Sequence, residues 1–386
     1  MSHKYPLATS SWDEAEQAAI RRVIASDMYS MGPEVARFEE QFAAFMGTKH
    51  AIMCNSGSSA NLLMIAALFF RRENPLQRGD EVIVPAVSWS TTYAPLQQYG
   101  LRVKFVDIDL ETLNMDLVAL AGAVTDRTRL IFAVNLLGNP NDFPEIERII
   151  AGRDITLIED NCESMGATLG GRQAGTFGLM GSYSAFFSHH ISTMEGGLVV
   201  TDDTELHHIM LSLRAHGWTR NLPKENMLTG TKSDDPFEES FRFVLPGYNL
   251  RPLEMSGAIG QAQLAKLPAL IAGRRANGRA FQAAMGNHPE VMIQREVGKS
   301  SWFGFSLVIR RESDWTRPAL LEKLRALGFE VRPIVSGNFA KNEVLRFFDH
   351  EIHGDLANAD WIDRNGLFLG NHHYPIDAAV EALRSL

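Results

Sequence analysis

Ser184-Ala185-Phe186-Phe187-Ser188-His189-His190-Ile191-Ser192-Thr193-Met194-Glu195-Gly196-Gly197 is the stretch that orders the rest of this chain. It opens as an apolar strand over 182–188 and ends on a histidine pair. A small polar turn and two glycines then lead into a second apolar strand, 197–202. Adjacent side chains of an extended strand point to opposite faces, so only one of His189 and His190 is expected to face a given pocket. A histidine at a strand end is commonly a plain structural residue, and the meaning of this one depends on the elements around it.

Those elements alternate. Apolar segments at 50–54, 81–85, 102–108, 130–136 and 155–160 are separated by helical patterns such as 59–70 and 144–151. Strand–helix alternation at this spacing predicts an α/β fold with a mostly parallel sheet covered on both faces. Before it, Ser11-Trp12-Asp13-Glu14 has capping-box spacing, and apolar residues recur through Ile24, which predicts an N-terminal helix. From about Met255 the pattern changes to a long helical stretch, a strand at 302–309, a helix at 317–327 and a strand at 329–333. The expected division is therefore a large domain with its N-terminal helix over 1–254 and a smaller α/β domain over 255–386. The polar segment 221–239, mixed in charge, reads as a surface loop.

Composition narrows the function. Of 386 residues, 45% are hydrophobic and 22% charged, an ordinary globular balance, and the net charge of −9 leaves no basic face for nucleic acid. Two cysteines, Cys54 and Cys162, supply neither a secreted disulfide framework nor the roughly four thiolates of an iron–sulfur cluster. Met1 to Pro6 lacks a signal pattern, and no apolar run reaches the roughly 20 residues that span a bilayer, so a cytoplasmic protein without a membrane partner is expected. Adjacent histidines, as in His207-His208 and His372-His373, suit one ion poorly, so no metal is expected.

Three strand ends carry candidate chemistry. Asn55-Ser56-Gly57-Ser58-Ser59 follows a strand and opens a helix, where unpaired N–H groups either receive a serine cap or cradle a phosphate. Neither a Walker lysine nor a Gly-x-Gly-x-x-Gly pattern is present, which disfavours nucleoside triphosphates and dinucleotides. Trp89, at the end of Pro85-Ala86-Val87-Ser88-Trp89, is placed either to pack in the core or to stack on a flat ring at the carboxyl edge of the sheet. Asp160 and Glu163 end the segment Leu157-Ile158-Glu159-Asp160-Asn161-Cys162-Glu163. They either cap a turn or face a pyridine nitrogen, where a carboxylate keeps the ring protonated as an electron sink.

The 184–197 stretch resembles the cofactor-lysine segment of the fold type I, pyridoxal-phosphate-dependent sugar aminotransferases. Those enzymes have a serine, a lysine five residues on, then a threonine-rich run ending in Glu-Gly-Gly. In that register His189 stands where the lysine belongs, and no lysine occurs between Lys104 and Lys224. Further motifs match in the same order. Met31-Gly32-Pro33-Glu34-Val35 is similar to the early substrate loop, and Gly57 and Ser58 to the phosphate turn. Trp89 matches the stacking aromatic, Asp160 and Glu163 the pyridine pair, and Ser184 the serine before the lysine. Gly247-Tyr248-Asn249-Leu250-Arg251 is similar to the segment whose asparagine reaches the phosphate of the neighbouring subunit. The resemblance covers nearly the whole chain. It implies an aminotransferase-like fold with a seven-stranded sheet in the large domain, and a homodimer with shared sites.

Replacement of the lysine by histidine points to one branch. The stretches 84–93, 134–141 and 214–221 are similar to the histidine-bearing enzymes that dehydrate GDP-4-keto-6-deoxy-D-mannose at C3, on the route to a dideoxysugar such as colitose. The other histidine-bearing branch acts on CDP-sugars with an iron–sulfur cluster, for which two cysteines do not suffice. The resemblance implies pyridoxal 5′-phosphate and its pyridoxamine form as cofactors, not covalently bound, because imidazole forms no stable Schiff base. It implies glutamate as amine donor and a GDP-linked keto sugar as substrate. His189 is the acid–base group, from an imidazole titrating near 6.5. His190 is the alternative if the register shifts by one. Ser30, His216, Arg220, Arg251 and Glu330 are expected to bind substrate. Two other readings are an aminotransferase that works without lysine, and a B6-binding regulator without activity.

Overall fold

The computed structural model describes residues 3–386 and is built around an eight-stranded sheet. The strand order is His50–Cys54, Gly197–Thr201, Gly181–Ser184, Thr156–Asp160, Thr128–Val134, Glu81–Pro85, Arg102–Val106 and His350–Ile352. The pairings from Gly181–Ser184 onward are parallel, whereas Gly197–Thr201 runs antiparallel to both of its neighbours. Because both faces are covered, the strands read as nearly unbroken apolar runs. Their side chains still alternate between two cores. Val82, Val84, Val103 and Phe105 join the helix Gly57–Leu68 on one face; Ile83, Val106 and Ile131 join Leu120 and Ile146 on the other.

All seven expected strands are present, and an eighth is added. His350–Ile352 pairs with the edge strand Arg102–Val106, so that edge is not left as an open row of backbone donors and acceptors. Three residues carry too little period to be read as a strand. The contact is reinforced by Glu351, which pairs with Arg102 at 3.1 Å and with buried Lys104 at 3.5 Å.

Two local expectations are corrected. The first helix is Glu14–Ser26, and its capping box is made by Asp13 and Glu16, two residues later than Ser11 and Glu14. Ser11 instead donates to Gln263 Oε1 at 2.7 Å. The strand leading to the histidine pair stops at Ser184, not 188. The 221–239 segment carries a short hairpin, Glu225–Asn226 with Gly230–Thr231, and the brief helix Pro236–Glu239.

The C-terminal part begins with the 32-residue helix Glu254–Met285. It packs through Ala258 on Ala19 and Val23 of the first helix, and through Leu264 and Leu267 in the core that holds Val35 and Phe38. An antiparallel sheet follows in the order Val291–Met292, Gly304–Ile309, Gly366–Gly370 and Val331–Arg332. Among the described residues, no helix is long and apolar enough to cross a membrane.

Candidate active site

The carboxyl ends of the parallel strands, with the turns that follow them, open on a cavity of about 350 Å³. Gly57, Ser58, Trp89, Asp160, Glu163, Ser184 and His189 all line it, so these seven sequence candidates meet at one place. Phe303, Arg332 and Pro333 close it from the C-terminal part, and no lysine is among the lining residues.

One wall is the start of the helix Gly57–Leu68. The Ser56 hydroxyl accepts from Ser59 N at 3.1 Å, so the serine cap exists, while Gly57 and Ser58 present the first turn to the cavity. Cap and cradle are thus compatible. The turn is held by close packing: a Cβ on Gly57 would lie 2.7 Å from Ser184 Cβ, and one on Gly197 would lie 2.1 Å from the carbonyl oxygen of Ser56. Trp89 stands beside this wall with 58% of its surface exposed, an indole face available to a flat ring rather than buried in the core.

Asp160 ends its strand buried, with hydrogen bonds at both carboxylate oxygens. Its Oδ2 accepts from Asn61 Nδ2 and Thr92 Oγ1, both at 2.8 Å, and its Oδ1 from Cys162 N at 3.1 Å. Glu163 accepts from Leu137 N at 3.1 Å. Burial pushes the Glu163 carboxyl up to about 7, with the Asp160 charge adding to the rise and the Leu137 N–H and Arg332 opposing it. Leu137 turns its N–H this way with a positive φ of 56°, in a turn whose neighbours Leu137 and Gly138 also receive Phe303 N and Ser301 N.

His189 is not at a strand end. After Ser184 the chain folds back on itself: Phe187 N donates to Met194 O at 3.2 Å, Thr193 N to Ala185 O at 2.9 Å, and His189 N to Phe186 O at 2.9 Å. The turn, rather than strand alternation, separates the two histidines. His189 lines the cavity, whereas His190 is buried with Nε2 at 3.2 Å from Ser301 O, so the one-residue alternative register is not the one that faces the site. His189 Nδ1 is buried without a hydrogen-bond partner, which leaves Nε2 as the nitrogen open to the cavity. The expectation of an imidazole near 6.5 is corrected. Desolvation, then the charges of Arg274 and Arg332, push His189 down to about 3, so the ring is neutral at physiological pH in the ligand-free protein.

The remaining sequence candidates lie elsewhere on the chain. Asn249, His216, Arg220 and Arg251 gather around Trp218: His216 packs edge-on at 4.8 Å, Arg220 lies 4.3 Å and Arg251 5.8 Å from the indole centroid, and Arg251 Nε donates to Asn249 Oδ1 at 3.0 Å. Exposed Ser30 bridges to Leu253, and Glu330 accepts from Leu7 N at 2.9 Å. None of the six lines the cavity. Sequence reading missed Asn61, Thr92, Phe303 and Arg332. Asn61, one turn into the phosphate helix, carried a usable signal; the isolated Phe303 and Arg332 carried none. Among the described residues, no three His, Cys, Asp or Glu side chains come together as a metal site.

These residues fit a phosphorylated pyridine. A helix start freed of side-chain bulk could receive the phosphate, an exposed indole the ring and a buried carboxylate the ring nitrogen, and an imidazole lines the same cavity. The sequence profile of the DegT/DnrJ/EryC1/StrS aminotransferase family matches residues 10–382. The chain belongs to the DegT/DnrJ/EryC1/StrS family. Within it, the chain is 60% identical over 383 residues to GDP-4-keto-6-deoxy-D-mannose 3-dehydratase of Escherichia coli O55:H7, covering 99% of each. The solved E. coli GDP-4-keto-6-deoxy-D-mannose-3-dehydratase with bound hydrated PLP superposes with a TM-score of 0.99 at 60% identity, covering 100% of this chain and 99% of that one. A second GDP-4-keto-6-deoxymannose-3-dehydratase structure, with a trapped PLP–glutamate geminal diamine, gives 0.98 at 60% identity and covers 99% of each. Solved structures of lower identity, such as an aminotransferase from Psychrobacter cryohalolentis (23%, TM-score 0.84, 98% of this chain and 97% of that one), share the fold.

Proposed function

We propose that this chain removes the C3 hydroxyl of GDP-4-keto-6-deoxy-D-mannose, with glutamate as amine donor and, through its oxidation to 2-oxoglutarate, as reductant, giving GDP-4-keto-3,6-dideoxy-D-mannose, ammonia and 2-oxoglutarate. It is a lyase working in the cytoplasm with pyridoxal phosphate and its pyridoxamine form, neither held covalently. The observation that carries the reading is His189 in the cavity wall, in a lining without lysine.

When bound, the cofactor would supply an amine that couples to the keto carbon and a pyridinium ring that acidifies the cofactor's amine-bearing carbon. The chain's own residues do the rest. Gly57 and Ser58, at the helix start, would bind the phosphate, Trp89 would stack on the ring, and Asp160 would face its nitrogen, with Glu163 beside it. Ser184, against Gly57, closes the cradle. His189 Nε2 would take a proton from the amine-bearing carbon of the cofactor. Its imidazolium would return that proton to the departing C3 hydroxyl, which leaves as water. Hydrolysis then yields the ketone and ammonia. Asn249, His216, Arg220 and Arg251 lie outside the cavity because, in this reading, they serve the site of a second copy across a homodimer contact. Guanidinium forks there suit a diphosphate. Ser30 and Glu330 belong to the same sugar-nucleotide contacts.

The test is a product assay with pyridoxal phosphate, glutamate and the GDP-keto sugar, following ammonia and sugar mass together. Ammonia with a 3-deoxy keto sugar is expected. An amino sugar without ammonia would make the protein a transaminase, and no turnover would favour the regulator. In parallel, borohydride leaves no covalent cofactor on the wild type but does so on His189→Lys, since lysine restores Schiff-base formation.

A further inference from the structure

The Asp160 carboxylate is held by donors that are themselves held. Asn61 donates to Oδ2 at 2.8 Å, and its own Oδ1 accepts from Ser182 Oγ at 2.6 Å. A flipped amide would set its oxygen against the carboxylate, so Asn61 has one orientation. The Thr92 hydroxyl lies 2.8 Å from Asp160 Oδ2 and 2.8 Å from Ser88 Oγ. A carboxylate only accepts, so Thr92 gives its proton to Asp160 and accepts from Ser88. Asn61, Ser88, Thr92, Asp160 and Ser182 are all buried, which makes a complete network rigid and an incomplete one costly.

The donors come from two helices that serve the site in other ways. Asn61 lies one turn into Gly57–Leu68, whose start forms the cradle. Thr92 lies in the first turn of Ser90–Gln98, whose N-cap is Trp89. Asn61 Nδ2 also reaches Thr91 O at 3.3 Å, and Ser58 Oγ lies 2.9 Å from Thr91 Oγ1, so the two helix starts are tied together.

We infer that Asn61 and Thr92 are positioning residues for the proton on the cofactor's pyridine nitrogen: they occupy Asp160 Oδ2, leave Oδ1, whose one other partner is the Cys162 N–H, with a lone pair for the ring, and fix that oxygen relative to the cradle and Trp89. This rests on the assignment of Asp160 as the pyridine's partner under Proposed function. Phosphate, ring and nitrogen contacts are thereby set by one buried network rather than by three independent side chains.

The test uses full-length protein loaded with ¹⁵N-labelled pyridoxal phosphate, and reads the protonation of the ring nitrogen by NMR against pH. Wild type keeps the nitrogen protonated into the alkaline range. Asn61→Leu and Thr92→Val lower its proton affinity by about tenfold, one pH unit. Their kcat falls by about tenfold or more, as for other supporting-shell losses, with KM for the sugar nucleotide within about twofold. Thr92→Ser keeps the hydroxyl and behaves as wild type in both readouts. A ring nitrogen that titrates in the Leu and Val variants as in wild type overturns the inference, as does a Ser variant that loses as much as the Val variant. Should Asn61→Leu not fold, the near-isosteric Val and Ser pair decides alone. A wild-type nitrogen already deprotonated at neutral pH would instead refute the assignment of Asp160.

Discussion

The imidazole of His189 rests against the ring of Phe303, with centroids 5.1 Å apart and planes tilted by 52°. Phe303 is itself fixed from both sides of its peptide: its N–H donates to Leu137 O at 3.1 Å, and its carbonyl accepts from Arg274 Nη1 at 3.0 Å. No carboxylate or carbonyl orients His189 Nδ1. The ring is therefore held by aromatic packing, and that packing removes water from it. This differs from a histidine oriented by an acid, which is held in its charged form by its partner.

The first prediction concerns protonation. With His189 pushed down to about 3, its ring resonances, assigned by comparison with His189→Asn, do not titrate between pH 8 and pH 5 in the ligand-free protein. A midpoint near the unperturbed value of about 6.5 would show a hydrated ring and refute the packing account. The linkage sign follows. Below about 6.5 the unfolded chain binds the proton and the folded chain does not, so His189 costs stability as pH falls towards 3. His189→Asn is expected to lessen the acid sensitivity of unfolding over that range.

Glu163 behaves in the opposite sense. Its folded carboxyl titrates at about 7 because burial penalises the charge, against 4.5 for a free side chain. Between those values the folded state holds the proton more tightly, so stability is fully present below 4.5 and lost as pH rises through 7. Denaturant unfolding of the ligand-free protein should thus weaken from pH 5 to pH 8 more in wild type than in Glu163→Gln. Equal pH dependence in the two would mean that Glu163 is hydrated.

Gly197 should tolerate no side chain. A Cβ there would sit 2.1 Å from Ser56 O, against backbone atoms with no flexible group to yield. Gly197→Ala is expected to destabilise by about 2–3 kcal/mol in denaturant unfolding, in the range of severe overpacking. Because the clash falls on Ser56, at the cradle, pyridoxal phosphate affinity should drop as well, by about tenfold if 1.4 kcal/mol of the strain reaches the loaded state. Unchanged stability would mean that the strand and the helix start move apart freely.

Much of the site was legible because of where its residues stand. Gly57, Ser58, Trp89, Asp160, Glu163 and Ser184 each lie at or just past the end of an apolar run. Alternating strands and helices bring those ends to one edge of a parallel sheet. The identity of His189 at the lysine position and the helix start after His50–Cys54 are local facts of the same kind. Ser11 and Asp13 both offer a cap by spacing, and only the hydrogen bond of Ser11 to Gln263 decides between them, which sets the capping box two residues later. Three-residue His350–Ile352 lies below the length at which period can be read.

Hydrophobic period, caps and strand ends are properties of neighbouring residues, and they determined the sheet, its carboxyl edge and the identity of the groups set there. Tertiary structure alone decided the turn that aims His189 inward and His190 away, the approach of Phe303 and Arg332, and the donors that fill Asp160. It also decided that His189 is neutral and that Glu163 titrates at about 7. The reason is that desolvation and hydrogen-bond partnership are sums over everything packed around a group. Here the largest contributors come from segments far apart in the chain.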